Sequence, residues 1–207
     1  MSKFNSSIKY SETEVTEILL KNVLLMIQER GIIDNKNYKK NLKSLHDQIK
    51  DELLFTLINN KFKIGIRIVK YKVTSITKVE GINEFLDDET YNLKIVIFKD
   101  MNQKTFKQLL TFDNTQAFWE RELMMNIIDH DYVSKHIVLS EDERKDFIKS
   151  YQITRDKMPK LEIYDPIVRY YNMQIGDIVR IIRNSPSAGK AVYYRVVVPS
   201  PVQDLFS

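Results

Sequence analysis

Read from the amino terminus, apolar positions first recur at helical spacing: Val15, Ile18, Leu19, Val23, Met26 and Ile27 share one face. Ser11, followed three residues later by Glu14, forms a capping box at the start of this helix, and Arg30-Gly31 supplies a cationic last turn and a terminal glycine. Tyr38, Leu42, Leu45 and Ile49 predict a second helix, which makes a helical pair at the front of the chain. The period then changes to two. Phe62, Ile64, Ile66 and Ile68 fall on one face of a strand and Lys61, Lys63 and Arg67 on the other, while Lys70 and Lys72 lie out of phase, which predicts a bulge near Val69. The apolar run Tyr91–Phe98 predicts a buried strand. Helices are expected over Gln103–Leu110 and over Thr115–Asp129, the second with Trp119, Leu123 and Ile127 on one face.

Beyond a boundary segment at Asp131–Lys135 the pattern tightens. A short strand, His136–Leu139, leads into a second capping box, Ser140 with Glu143, and a helix to about Tyr151. Asp165-Pro166 offers an N-cap and a first-turn proline for a short helix through Tyr171. Gly176-Asp177 turns into a strand at Ile178–Arg183, Asn184–Gly189 reads as a loop, and Val192–Val198 as a β-branched strand. This order predicts an α/β domain over residues 1–133, a small α+β module over 134–198 and a tail from 199 to 207.

Composition removes several classes of function. With no cysteine in 207 residues there can be no disulfide, thiolate zinc site or cysteine nucleophile. The net charge of +4 permits nucleic acid as a partner without concentrating a patch for it. No stretch approaches the roughly 18 apolar residues of a membrane span, so an intracellular protein with no membrane partner is expected. The abundance of Ile, Lys and Asn fits an AT-rich genome.

The candidate chemistry is sparse. His130 and His136 lack the further ligands a zinc site needs, and His46 is remote from both. Ser187-Ala188-Gly189-Lys190-Ala191 fails as a phosphate loop, because Asn184 stands where the first glycine belongs and Ala191 has no hydroxyl for magnesium. The acidic run Asp87, Asp88 and Glu89 reads as a solvated loop, since no partner carboxylate-and-lysine pair recurs at strand spacing on Leu93–Phe98. No catalytic site, metal, cofactor or small-molecule substrate is therefore expected. What remains is the basic face of Lys61, Lys63, Arg67, Lys70 and Lys72, which could meet DNA phosphates or simply guard an edge strand against aggregation. The last module also mixes Arg169, Arg180, Arg183, Lys190 and Arg195 with Tyr170, Tyr171, Tyr193 and Tyr194, a composition that favours a protein interface.

From His130 onward the chain resembles a known family. The segments HDYVSKHIVLSEDE and KMPKLEIYDPIVRYYNMQIGDIVRIIRNSPSAGKAVYYRVVV are similar to the carboxy-terminal module of the fifth subunit of eukaryotic nuclear RNA polymerases and to the small archaeal RNA polymerase subunit that corresponds to it. The loop Ser185-Pro186-Ser187-Ala188-Gly189 follows the archaeal form, whereas an amino-terminal domain of this size is the eukaryotic arrangement. A weaker amino-terminal likeness rests on Glu29-Arg30-Gly31, on Lys63-Ile64-Gly65-Ile66-Arg67, on Leu93–Phe98 and on a Trp119–His130 helix, with a sheet element missing or compressed between His46 and Phe62. That compression and the codon signature make a large DNA virus the expected source.

The resemblance implies a nuclease-like but inactive amino-terminal jaw near downstream duplex DNA, and a rear module that docks on the largest polymerase subunit. By the same match Asp165, Pro166, Arg169, Tyr170, Arg183, Ser185, Gly189, Tyr194 and Arg195 are the interface residues. A viral member would work in a viral factory or virion and a cellular one in the nucleus. Two rivals remain open: a metal-dependent nuclease built on the front domain, and an independent transcription regulator that carries the module.

Overall fold

The computed structural model describes residues 10–49, 53–59, 62–185 and 189–200. They fall into two compact units divided between Met125 and Asn126. The division precedes the expected one at 133/134 because Ile127 and Val133 pack on the core of the second unit.

The first unit opens with α1 (Glu12–Glu29), whose capping box forms as expected, with Ser11 Oγ accepting from the Glu14 amide and the Glu14 carboxylate accepting from the Ser11 amide. Leu19, Leu20, Val23, Leu24, Met26 and Ile27 are buried along it. After a short 3-10 turn comes α2 (Tyr38–Asp47). A four-stranded mixed sheet then runs in the order β1 (Leu54–Asn59), β2 (Phe62–Val73), β3 (Leu93–Met101), β4 (Thr115–Trp119). β1 is antiparallel to β2, and β2, β3 and β4 are mutually parallel. Two helices, α3 (Ile82–Asp87) and α4 (Gln103–Leu109), make the parallel crossovers, as parallel neighbours require. β3 is buried over six consecutive residues from Leu93 to Phe98, the signature of a strand covered on both faces.

Three expectations for this unit change. Thr115–Trp119 is strand rather than helix: its five residues pair in parallel with Lys94–Phe98, and the Trp119 indole donates to the Met101 carbonyl at 3.2 Å. The only α-helix left of the expected Thr115–Asp129 element is α5 (Glu120–Leu123), followed by a 3-10 turn at Ile127–Asp129. A short apolar stretch buried on both faces does not separate the two periods, so the pairing partner decided the outcome. Second, of the two alternatives for the segment between His46 and Phe62, a sheet element missing or compressed, the first falls, because β1 lies there. Phe55 and Leu57 of β1 are buried, and the side-chain amide of Gln48 brackets Thr56, accepting from its N–H at 2.9 Å and donating to its C=O at 3.1 Å. The amide thereby occupies the Thr56 backbone groups, in the middle of an edge strand that would otherwise offer them to another chain.

Third, β2 is not an edge. It lies between β1 and β3, so the alternation of Lys63 and Arg67 with apolar residues marks partly buried positions rather than a guarded outer strand. The register shift between Val69 and Lys72 is the expected bulge.

The second unit is a mixed sheet in the order β5 (Lys135–Val138), β7 (Ile178–Ser185), β8 (Gly189–Val198), β6 (Lys160–Glu162), with α6 (Glu141–Tyr151) and α7 (Pro166–Tyr171). Alternation divides its core in two. Ile178 and Val196 join Leu139 and Met158, with Phe147, Ile148 and Tyr194 packed beside them. Val179, Ile181 and Val197 face the other way and join Leu161, Ile167, Val168 and Met173. The expected Asn184–Gly189 loop is shorter, because Asn184 pairs with Lys190 and Ser185 with Gly189 in the β7–β8 ladder. Pro186, Ser187 and Ala188 lie outside the described residues.

Candidate assembly surface

The second unit is tied together by side chains the sequence singled out. Asp165 caps α7 by accepting from the Ile167 amide at 2.8 Å, with Pro166 in the first turn. Gly176, at φ +92°, and Asp177 form the turn into β7. The Asp177 carboxylate accepts from the Gln174 amide at 2.8 Å and from Arg144 of α6 at 2.7 Å, and so latches helix to turn. Gly189 sits at φ +69°, the left-handed region that suits a residue without Cβ.

On β8, Tyr194 leaves the sheet on the α6 side. Its ring centroid lies 4.2 Å from Phe147 and 6.0 Å from Tyr151. On β7, the Arg183 guanidinium lies over the Tyr193 ring at 5.3 Å. Arg195 reaches toward the Lys160 carbonyl at 3.4 Å. Together with Met158, Pro159, Ile153 and Val192, these residues line a cleft of about 440 Å³, and Val192 and Tyr193 are each half exposed at its edge. Aromatic and arginine side chains around a concave, partly apolar surface are the composition of protein interfaces rather than of phosphate grooves.

The expected interface residues do not all share this cleft. Arg183, Tyr194 and Arg195 line it, whereas Asp165 caps α7 and Pro166, Arg169 and Tyr170 lie within that helix. Tyr170 is 4% exposed, so its ring is core in the free chain. Tyr193, already part of the expected Tyr–Arg mixture, also lines the cleft, whereas Pro159 and Val192 line it without having been singled out, and the exposed β-branched and aromatic run on β8 was the signal for Val192.

His136 adds a pH-sensitive element. Burial of the imidazole holds it below its ordinary value, and Arg183 and Arg195 push the same way, against the Ser134 carbonyl, 2.6 Å from Nδ1, and the Asp165 carboxylate. A histidine whose folded value is depressed contributes stability that is present above its unfolded value and is lost as pH falls through the folded one. The thermal stability of the chain is therefore expected to fall below about pH 6.5. His136→Gln is expected to flatten that part of the profile, and an unchanged slope would remove His136 as its origin.

The basic residues of β2 are engaged within the chain. Lys63 Nζ donates to Thr90 Oγ1 at 2.8 Å and lies over the Tyr91 ring at 4.0 Å. Arg67 donates to the Glu80 carbonyl at 2.8 Å, at the foot of the Gly81 turn into α3. Lys70 pairs with Glu12 at 3.4 Å and Lys72 with Asp100 at 2.9 Å; the Lys72 contact is the main reason Asp100 ionises below the ordinary carboxylate range. Lys61 lies outside the described residues. Lys63 and Arg67 are thus held by partners within the chain, where alternation alone left them on an open strand face.

Among the described residues no group of three His, Asp or Glu side chains is arranged to hold a metal ion. Asp87 ends α3, and Asp88 accepts from Thr90 two residues on, whose hydroxyl and amide hold its carboxyl below the usual range. Lys94, 4% exposed, donates to the Leu86 carbonyl and closes the same helix end. Among the described residues, no helix is long and apolar enough to cross a membrane.

Comparison with known proteins agrees with this second unit most closely. Residues 125–197 match the family described as RNA polymerase Rpb5, C-terminal domain. Over 198 residues the chain is 31% identical to DNA-directed RNA polymerase subunit 5 of Acanthamoeba polyphaga mimivirus, covering 92% of this chain and 96% of that one. It is 26% identical over 157 residues to the RPABC1 subunit of RNA polymerases I, II and III of Caenorhabditis briggsae, covering 74% of this chain and 70% of that one. It is 40% identical over 73 residues to subunit Rpo5 of the Methanosarcina acetivorans polymerase, 35% of this chain and 94% of that one. The chain belongs to the family of fifth subunits of DNA-directed RNA polymerases, and its two-unit length is that of the viral relative rather than of the archaeal one.

Proposed function

We propose that the chain serves as a non-catalytic subunit of a multisubunit DNA-directed RNA polymerase, docking through its second unit on the largest subunit. The observation that carries this reading is the Arg183–Tyr193–Tyr194–Arg195 cleft, which lies within residues 125–197, the segment that matches the Rpb5 C-terminal domain family. Arg183 and Arg195 can meet carboxylates or carbonyls of a partner at the rim, while Val192 and Tyr193 lose water on contact. The first unit, on this reading, is a nuclease-like jaw near downstream DNA. Lys72, whose side chain is 68% exposed, can exchange Asp100 for a phosphate in the assembled enzyme, and Lys70 can exchange Glu12 likewise. The chain would then work where the template is, in the nucleus or in a viral factory or virion.

The test is the stoichiometry of the chain in polymerase purified from its native source, with the wild-type chain replaced by Arg183→Glu/Arg195→Glu. Occupancy is expected to fall at least about tenfold, equivalent to about 1.4 kcal/mol, while thermal unfolding of the free chain changes little. Full occupancy with both charges reversed would move the docking surface elsewhere. An independent regulator would not co-purify in stoichiometric amount at all. A nuclease would cut plasmid DNA when the pure chain is given magnesium.

A further inference from the structure

The groove between α1 and α2 has no part in the proposed function, yet it has the form of a binding site. Leu20, Leu42, Leu45 and Ile49 line its apolar interior, which measures about 450 Å³, within the range of ligand clefts. Lys21, Lys39 and Lys43 stand at its edge, all three exposed. Among the described residues none of these three ammonium groups is paired with a carboxylate, in contrast to Lys70, Lys72 and Lys145. The one carboxylate lining the groove, Glu17, lies 3.6 Å from His46 Nδ1.

We propose that this groove docks an acidic amphipathic segment of a partner protein, its leucine or phenylalanine side chains entering the apolar interior and its carboxylates meeting the three lysines. A helix with apolar anchors at i, i+3, i+4 and i+7 matches a cleft running between two helices, and the lysine stems extend the apolar wall it would cover. Charge complementarity selects the occupant: the edge carries three cations against a single carboxylate already beside a histidine. A nucleic-acid backbone fits less well, because phosphates gain nothing from an apolar interior and need a cationic surface they can lie along.

The full chain is titrated with a fluorescent synthetic peptide of about sixteen residues, carrying leucines at those four spacings and Glu or Asp elsewhere, at low and at high salt. A matched peptide with Lys in place of the acids and a short duplex DNA serve as comparisons. The acidic peptide is expected to bind at least about tenfold more tightly than the basic one and to weaken with salt. Lys39→Glu/Lys43→Glu, at exposed positions, is expected to lower that affinity about tenfold with thermal unfolding unchanged. Leu42→Ala is expected to weaken binding at every salt concentration. Absence of binding by the acidic peptide, equal binding of both peptides, or indifference to the lysine reversals overturns the proposal. Duplex DNA that binds more tightly than the acidic peptide and is released by the same reversals also overturns it, and makes the surface a nucleic-acid one.

Discussion

Ile178→Ala is expected to lower the stability of the second unit by about 2–5 kcal/mol. The side chain is fully buried at the point where β7 leaves the Gly176-Asp177 turn, and it packs with Leu139, Met158 and Val196. Its neighbour Val179 is equally buried but faces the opposite cluster with Ile167, Val168 and Val197, so the loss at Ile178 cannot be refilled from across the sheet. A unit of this size has a total stability of only about 4–12 kcal/mol, so the substitution removes a large fraction of it. Phe147 and Tyr194 rest against the same cluster, and both line the cleft proposed for docking. Loss of near-ultraviolet signal and of polymerase occupancy should therefore occur together. A midpoint within about 0.5 kcal/mol of wild type would show that the cluster repacks around the gap.

Gly65→Val is expected to cost the first unit about 3 kcal/mol. Gly65 pairs with Thr56 on one side and Lys94 on the other, in the middle of the sheet. A Cβ placed there would stand 2.5 Å from Phe85 Cε2 and 2.9 Å from Tyr91 Cδ1. These two rings pack edge to face at 5.3 Å and are nearly fully buried, so neither can swing into solvent without opening the core. In an unhindered strand, replacing glycine would gain about 0.4–1 kcal/mol by restricting the unfolded chain. Here the clash outweighs that gain. The origin can be checked by a double-mutant cycle: Gly65→Val should cost much less in a Phe85→Ala background, since the ring that obstructs it is gone. Additive losses in the cycle would place the cost elsewhere.

Much of the second unit could be read locally. Its capping box at Ser140, the Asp165-Pro166 start of α7, the Gly176-Asp177 turn and the two β-branched strands each rest on residues within a few positions of one another, and all appear in the structure. The same holds for α1, whose cap and apolar face lie within one continuous segment. The local motifs of the second unit and the match to the Rpb5 C-terminal domain family fall in the same part of the chain.

What tertiary structure decided is what depends on distant partners. Thr115–Trp119 became a strand because β3 offered it a parallel edge, although its own residues permit a helix. Leu54–Asn59 became a strand because β2 pairs with it and Gln48 engages the outward backbone groups of Thr56. The lysines and arginine of β2 read as a free cationic face until Thr90, the Glu80 carbonyl, Glu12 and Asp100 arrived to engage them. Periodicity reports which side a residue leaves the backbone, whereas the partner it meets there, and hence whether its charge is free for another molecule, is set by segments far away in sequence.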